Sequence, residues 1–297
     1  DLIPEARPNI LWITTDQQRF DTIDALGYPY MHTPNLDRIV HSGVAFSRSY
    51  CQSPICTPSR ASFMTGKYPS AVHQNRNGAA YFPPGYRDEP QLVSKLLANA
   101  GYDCGLVGKL HLASNRGRRE ERSDDGFRYY QYSTRPDDPT FLHEDYHLWL
   151  IAKGQEPANV VGRKAKERHG HEGFLPPSAD DDGTPAPLHQ ATWCAEKAIE
   201  FIRDAQSPWL LSFNSFHPHG PLDLPADWTE WFDVDSVPGP AFQESDLAMQ
   251  NDFYERLRQI ESRFQAGMDR IIADRDLNMV VPHYGARFDI VLGRRTR

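Results

Sequence analysis

The sequence lacks three features that would assign it to several common classes of protein. Its 297 residues contain no apolar run near the ~18 residues of a membrane-spanning helix, so we expect no membrane span. Basic residues number 32 against 40 acidic ones, so the charge balance favours neither a nucleic acid nor an anionic membrane as partner. Cysteines are few and irregularly spaced, without a C-x2-C pair, which argues against a structural zinc site and a disulfide framework. They are Cys51, Cys56, Cys104 and Cys194.

The N-terminal segment also lacks the marks of an intact targeting signal. Residues 1–8, DLIPEARP, contain no basic region followed by an apolar stretch. They contain no initiator methionine either. We favour a cytoplasmic location, with a periplasmic or secreted protein as the alternative if a leader has been removed.

What the sequence does contain is an alternation of two patterns. Short apolar runs predict buried parallel strands at residues 9–15, 102–108 and 209–214. Segments with apolar residues on one helical face lie between and after them, and an alternating segment predicts a further strand at 44–50. The order predicts an α/β fold, a mainly parallel sheet with helices on both faces. The predicted helices lie near residues 33–40, 58–64, 91–100, 188–205 and 245–274.

Residues 113–187 depart from this alternation, because charged residues, glycine, proline and histidine dominate them. We interpret the stretch as a polar insertion of loops, part of it a candidate lid. A solvated surface excursion without a role in a site is the simpler of the two interpretations.

The most informative segment is CQSPICTPSRASFMTG, residues 51–66. Pro58 indicates a helix start, which places Cys56 just before the first turn, where exposed N–H groups and the helix dipole favour an oxyanion. Arg60 adds a forked cation that can pair with two oxygens of a tetrahedral anion. Taken alone, Cys56 has an ordinary alternative as an inert, half-buried cysteine.

The same segment resembles the sulfatase signature C-x-P-S-R followed by T-G, and the resemblance runs from residue 8 to about residue 223. It implies an alkaline-phosphatase-like fold, with residues 1–297 as an incomplete N-terminal catalytic domain. In sulfatases a formylglycine-generating enzyme oxidises this cysteine to formylglycine, whose hydrate attacks the sulfur of a sulfate ester. The resemblance therefore implies a sulfuric ester hydrolase, with Cys56 as the precursor of the nucleophile.

Asp16 and Gln17 follow the first predicted strand, at the edge where open α/β sheets bind ligands. A helix N-cap is their ordinary explanation. The resemblance implies instead that they hold a divalent metal, usually calcium, together with the modified Cys56, since oxygen ligands suit a hard cation. Gln17 replaces the commoner second aspartate, as in choline-sulfatase-like and phosphonate-monoester-hydrolase-like members, which widens the range of candidate substrates.

The segment GKLH, residues 108–111, resembles the family's G-K-W-H motif, with Leu110 in place of tryptophan. Lys109 and His111 stand two residues apart at a strand end, so both can face one pocket. The resemblance implies that Lys109 contacts the sulfate and that His111 hydrogen-bonds to the nucleophile. Phosphonate hydrolases lack this pair, so the motif favours sulfate esters. Alone, it would indicate an exposed lysine and a packed histidine.

A turn after the last predicted strand, FHPHGP at residues 216–221, resembles the family's P-H-x-P turn. His219 matches its histidine and is our candidate both for the general acid that protonates the leaving alcohol and for a substrate contact. His217 is expected to be a neighbour. Asn77 falls where related hydrolases have a pocket asparagine, which makes it a candidate substrate-binding residue.

Residues from about 278 onward match the family poorly. The second metal motif is not found, although residues 288–293 read as the strand that would carry it, and the C-terminal subdomain is missing. We expect a chain truncated or altered at this end. Weak metal binding and low turnover follow, because Asp16, Gln17, the nucleophile and sulfate do not complete a shell of ~6–8 oxygens.

The sequence thus predicts hydrolysis of a small-molecule or carbohydrate sulfate ester by formylglycine and a divalent metal, impaired by the missing motif. One alternative is a phosphonate monoester or phosphodiester hydrolase with the same nucleophile. The other is a non-catalytic remnant that binds anions.

Overall fold

The chain forms two compact units, Asp1–Ser236 and Val237–Arg297. The larger unit contains the sheet. Within the described residues, no helix is both long and apolar enough to cross a membrane. This computed structural model describes residues 7–72, 92–113, 124–136, 144–161 and 183–220, together with isolated positions between 119 and 122 and beyond 223.

Four parallel strands form the sheet, and their order across it is first, fourth, second, third. They are β1 (Ile10–Thr14), β2 (Asp103–Gly108), β3 (Tyr129–Tyr132) and β4 (Trp209–Asn214). In the register, Leu210 of β4 pairs with Ile10 of β1 on one side and with Cys104 of β2 on the other. The three apolar runs of the sequence are therefore three adjacent parallel strands, and the predicted α/β fold is confirmed.

Helices follow the strands as predicted. α1 starts at a proline, whose fixed φ suits the first helical position, and α2 ends before Gly66, whose φ of +69° is left-handed. Within the described residues the helices are α1 (Pro34–Ser42), α2 (Cys56–Thr65), α3 (Val93–Asn99), α4 (Asp145–Ala152), α5 (Pro157–Val160) and α6 (Gln190–Asp204).

Apolar side chains of the central strands alternate between two clusters, one on each face of the sheet. Leu106 and Leu210 point to the face covered by α2 and α3, whereas Val107 and Leu211 point to the face covered by α4 and α6. Each fully buried side chain of this size contributes about 1.5–3 kcal/mol by leaving water. The predicted helices on both faces are confirmed.

Two local predictions are wrong. β1 is not buried on both faces: it lies at the edge of the described sheet, and Leu11 and Ile13 keep 48% and 50% of their surface exposed. Residues 44–50 form no strand, and Val44 and Phe46 are exposed. Their alternation meets no partner strand among the described residues, and an unpaired segment leaves its backbone groups to water.

The polar stretch at 113–187 is more than an insertion of loops. β3 lies within it and pairs with β2, and α4 buries Leu150 in the core. The prediction is corrected for these two elements, which carry enough apolar surface to join the larger unit. Residues 114–118, 137–143 and 162–182 lie outside the described part of the chain, so the candidate lid stays a prediction.

In the smaller unit, the described positions between 245 and 274 are helical, as predicted. The strand expected at residues 288–293 is instead divided between two short antiparallel pairings. Arg287–Phe288 pairs with His283–Tyr284, and Val291–Leu292 pairs with Met279–Val280.

Candidate active site

Side chains from three strand ends and from the start of α2 meet at one edge of the sheet. Asp16 follows β1, Lys109 follows β2 and His219 follows β4, while Cys56 is the first residue of α2. Because these three strands are parallel neighbours, their carboxyl ends lie side by side, where ligands bind in open α/β sheets. The Asp16 backbone N–H donates to the His217 carbonyl at 3.4 Å, which joins the loops after β1 and β4.

Asp16 is the buried centre of this cluster. Its Oδ2 lies 2.6 Å from Lys109 Nζ and 3.5 Å from Arg60 Nη2. Burial opposes the charged form, but Lys109 and Arg60, with a smaller effect from His219, hold the pKa of Asp16 below its ordinary value. The aspartate is therefore a carboxylate at neutral pH, the form that a cation requires.

Cys56 faces Asp16 from the N-terminus of α2. Its Sγ lies 3.7 Å from Asp16 Oδ1 and 3.8 Å from Lys109 Nζ. The helix begins at Cys56 itself, with Ile55 as its N-cap, so the prediction that Cys56 precedes the first turn is corrected by one residue. The side chain still lies at the positive end of the helix dipole.

Arg60, one turn further along α2, connects the helix to the loop after β2. It is 3% exposed, and its Nη1 donates to the Lys109 carbonyl at 2.6 Å. Its other Nη atom faces Asp16. The guanidinium is thus fixed on both sides, and it adds a second buried positive charge beside Cys56.

The loop that carries Lys109 begins at a position that only glycine can occupy. Gly108 has φ of +96°, and a Cβ there would lie 2.0 Å from the Asn214 carbonyl oxygen of β4. The Lys109 N–H donates to that same carbonyl at 2.9 Å. Lys109 Nζ then lies 5.3 Å from the centre of the Phe216 ring, which limits its exposure to water.

His111 lies in the same loop, in a left-handed conformation with φ of +53°. Burial, and then the charges of Lys109 and Arg60, keep its pKa well below the ordinary value, so the imidazole is neutral at pH 7. Its Nδ1 is buried and makes no hydrogen bond to the described residues. A buried polar atom of this kind is available to a substrate or to the modified side chain of residue 56.

His219 and His217 occupy the turn after β4 with different surroundings. The Gly220 carbonyl accepts a hydrogen bond at 2.6 Å from His219 Nδ1, which leaves Nε2 as the atom that can gain or lose a proton. The His217 ring packs against that of His189 at a tilt of 38°, with ring centres 4.3 Å apart. Burial, followed by His189 and His219, lowers the pKa of His217 to about 3, so His217 stays neutral.

One oxygen, one sulfur and one nitrogen atom of Asp16, Cys56 and His219 lie within 4.8 Å of one another and could hold a metal ion. Carboxylate oxygen suits a hard cation, and the cysteine sulfur would suit it only after conversion to an oxygen group. Gln17 does not join the cluster. It is exposed, with φ of +66°, and its side chain makes no hydrogen bond to the described residues of the cluster.

One further residue at this edge was not predicted from the sequence. Glu120 is 3% exposed and accepts the backbone N–H groups of His111, Leu112 and Ala113. Burial outweighs these donors and the Arg60 charge, and it raises the pKa of Glu120 to about 7. No motif surrounds Glu120, since it lies in the charged stretch that we interpreted as loops.

The structure therefore brings six of the eight predicted site residues to one edge of the sheet. These are Asp16, Cys56, Arg60, Lys109, His111 and His219. Gln17 is adjacent but turned to solvent, and Asn77 lies outside the described residues.

Comparison with known proteins shows which family the chain matches. The sulfatase family model matches residues 8–271. An arylsulfatase of Clostridium perfringens is 26% identical over 250 residues, covering 79% of this chain and 48% of that protein. The human N-acetylgalactosamine-6-sulfatase is 38% identical over 118 residues, covering 35% of this chain and 22% of that protein.

Among solved structures, the phosphonate monoester hydrolase of Agrobacterium radiobacter is similar in fold. Its TM-score is 0.59 at 24% identity, covering 80% of this chain and 46% of that one. This chain spans about half the length, or less, of the relatives it matches.

Proposed function

Because this chain belongs to the sulfatase family, we propose that it carries the catalytic site of an enzyme that hydrolyses sulfate esters. The observation that supports this most is the position of Cys56. It starts a helix and lies within 4 Å of both the Asp16 carboxylate and the Lys109 ammonium. These are the surroundings that a nucleophile needs when it attacks a tetrahedral anion.

The sulfate group binds between the N-terminus of α2 and Lys109. Helix N–H groups, the ammonium of Lys109 and the guanidinium of Arg60 supply the positive field. The site is poor in water, since Arg60 and Lys109 are only 3% and 2% exposed. Electrostatic attraction in such surroundings is stronger than in bulk water.

The nucleophile is formylglycine made from Cys56, in its hydrated form with two hydroxyl groups. The hydrate would supply one ionised oxygen, its proton passed to solvent, that attacks the sulfur as the bond from sulfur to the alcohol oxygen breaks. The alcohol would leave with a proton from His219. The second hydroxyl would then return a proton to His219 as the carbonyl re-forms and the bond to sulfate breaks. Water restores the hydrate.

His219 and His111 supply the remaining chemistry. His219 is the acid that protonates the leaving alcohol through Nε2, since Nδ1 is bonded to the Gly220 carbonyl. His111 is neutral and buried, so it can hydrogen-bond to a hydroxyl of the nucleophile without adding charge. His217 stays neutral and packs against His189.

A divalent cation, calcium by resemblance, would be held by Asp16 and the oxygens of the modified residue 56. It would lower the pKa of the hydrate and offset the charge of sulfate. Gln17 is a proposed ligand only in a conformation in which its amide turns toward Asp16.

Comparing two substrates with the same aryl group, one a sulfate ester and the other a phosphonate monoester, tests this proposal. The protein is produced together with a formylglycine-generating enzyme, and kcat/KM is measured for both. We expect the sulfate ester to be preferred, because Lys109 lies beside Cys56 and His111 lies near Lys109 and Arg60, and phosphonate hydrolases lack this pair. Preference for the phosphonate would support the alternative that Gln17 and the similar fold suggest.

Carbohydrate sulfates are the second substrate class to test, since relatives of this chain are named for sulfated amino sugars. Turnover of neither class, together with tight binding of inorganic sulfate, would instead support a non-catalytic protein that binds anions.

A further inference from the structure

Glu120 lies under the loop that carries Lys109 and His111. Its Oε2 accepts the His111 N–H at 2.8 Å, and its Oε1 accepts the N–H groups of Leu112 and, at 2.7 Å, Ala113. Three successive backbone donors therefore converge on one buried carboxylate.

This convergence depends on the backbone conformation of His111. Residues other than glycine rarely adopt a φ of +53°, and this conformation persists only where the surrounding structure holds it. Successive N–H groups in such a turn form a concavity that binds anions, and in other proteins the anion is a ligand. Here the anion is a carboxylate from the same chain.

We propose that Glu120 is a positioning residue for the hydrolysis described above. Its carboxylate holds the backbone of residues 111–113 and thereby aims the His111 imidazole at the nucleophile. This inference rests on the proposed function for its catalytic consequence. Its structural part, the orientation of His111, is independent of that function.

Arg60 holds the same loop through a second contact. It donates to the Lys109 carbonyl, while its charge attracts Glu120. The segment with Lys109 and His111 is therefore fixed by one acceptor and one donor, each buried. Loss of the Glu120 contact would free residues 111–113 and with them His111, while Arg60 would still hold Lys109.

Glu144 provides a matched control. It is also a fully buried carboxylate, and it accepts from Ser133 Oγ at 2.9 Å and from the N–H groups of Thr134 and Arg135. It holds the loop after β3 in the way that Glu120 holds the loop after β2. The difference is that no residue of the proposed reaction lies in the loop after β3.

The first test compares Glu120→Gln with Glu144→Gln at pH 8, where Glu120 is ionised. The amide keeps one oxygen but presents an NH₂ group to a backbone N–H. We expect Glu120→Gln to lower kcat for an aryl sulfate about 10- to 100-fold, with KM changed less than about threefold. Glu144→Gln is expected to change kcat less than about threefold. Equal losses in both variants would overturn the proposal.

A double-mutant cycle separates positioning from general damage. If Glu120 acts through His111, then Glu120→Gln in a His111→Ala background lowers kcat by less than about twofold further. A full additional loss in the double variant would contradict the proposal.

A readout without turnover uses protein in which only the histidines carry ¹⁵N. We expect Glu120→Gln to shift the imidazole resonances of His111 more than Glu144→Gln does, since Glu120 bonds to the His111 backbone whereas Glu144 bonds to that of Arg135, whose charge acts on His111. Unchanged His111 resonances in Glu120→Gln would overturn the inference even if the protein hydrolyses sulfate esters. If the wild-type protein showed no sulfatase activity but Glu120→Gln still shifted the His111 resonances, only the proposed function would be contradicted.

Discussion

The middle of the sheet and its carboxyl end are built from opposite kinds of contact. In the middle, Leu106 and Leu211 are fully buried among apolar side chains. At the carboxyl end, the buried side chains are charged, with Asp16 between Lys109 and Arg60. Apolar burial stabilises a fold, whereas buried charges lose solvation that their mutual attraction offsets only in part. The contrast predicts that substitutions in the middle mainly lower stability and that substitutions at the carboxyl end mainly lower activity.

Removal of the nucleophile is expected to have the largest effect. Cys56→Ala deletes the precursor of formylglycine, so we expect kcat to fall at least about 10⁴-fold. The change removes only a half-buried sulfur at a helix start, so the melting temperature should remain close to that of the wild type. Turnover of an aryl sulfate checks the first expectation and thermal denaturation the second.

Cys51→Ala is the control for this variant, because Cys51 is exposed and five residues away. It should turn over like the wild type. A loss of activity in Cys51→Ala, or activity retained in Cys56→Ala, would contradict the assignment of Cys56 as the precursor of the nucleophile.

A substitution in the apolar core should lower stability and leave activity nearly unchanged. Phe201 of α6 is 1% exposed and packs against Gly105 of β2. Phe201→Ala leaves a cavity, and we expect the free energy of unfolding to fall by about 3–5 kcal/mol. At a temperature where the variant stays folded, kcat should remain within about threefold of the wild type. Urea denaturation measures the free energy of unfolding, and aryl sulfate turnover measures kcat. A fall in kcat without a fall in the free energy of unfolding would contradict the expected difference between the middle of the sheet and its carboxyl end.

Lys109→Met should affect both properties. Loss of the ammonium removes the proposed contact to sulfate and, among the described residues, leaves Asp16 with Arg60 as its one close buried cation. We therefore expect kcat to fall about 10²- to 10³-fold. The free energy of unfolding should also fall. Lys95→Met is the control, since Lys95 pairs at the surface with the exposed Asp124 and is expected to change stability by less than about 1 kcal/mol. Similar kinetics in both variants would argue against a role for Lys109.

The smallest expected effect concerns pH and stability. Burial raises the pKa of Glu120 from 4.5 to about 7, although the charge of Arg60 acts to lower it. Tyr130 and Tyr132 are titratable groups that lie near Glu120. A raised carboxyl pKa means that the protonated form favours the fold. Stability is therefore lost as pH rises from about 4.5 through about 7, by at most roughly 3 kcal/mol.

Glu120→Gln cannot ionise, so its stability relative to the wild type should increase between pH 5 and pH 8. Urea denaturation at the two pH values measures this difference. If this difference stays constant or changes in the opposite direction, ionisation of Glu120 does not destabilise the fold.

The sequence predicted most of the sheet and the centre of the site because these depend on short, local patterns. The apolar run that became β4 and the spacing of Cys56 and Arg60 on one helix are both readable within a few residues. The charged end of the sheet follows once the strands are known to be parallel, since Asp16 and Lys109 each come directly after a strand.

What the sequence did not reveal depends on contacts between distant or irregular segments. β3 is hidden in a charged stretch, and only its pairing with β2 makes it a strand. Glu120 gains its role from the chain folding back onto the loop after β2. Residues 44–50 show the converse: their alternation predicts a strand, yet among the described residues no partner is present.

The most direct test is the mass of the peptide that contains residue 56, taken from protein produced together with a formylglycine-generating enzyme. Our account predicts a peptide lighter by about 18 Da than one with cysteine, and reactive toward an aldehyde reagent. An unmodified cysteine at position 56 in protein that hydrolyses aryl sulfates at full rate would contradict it.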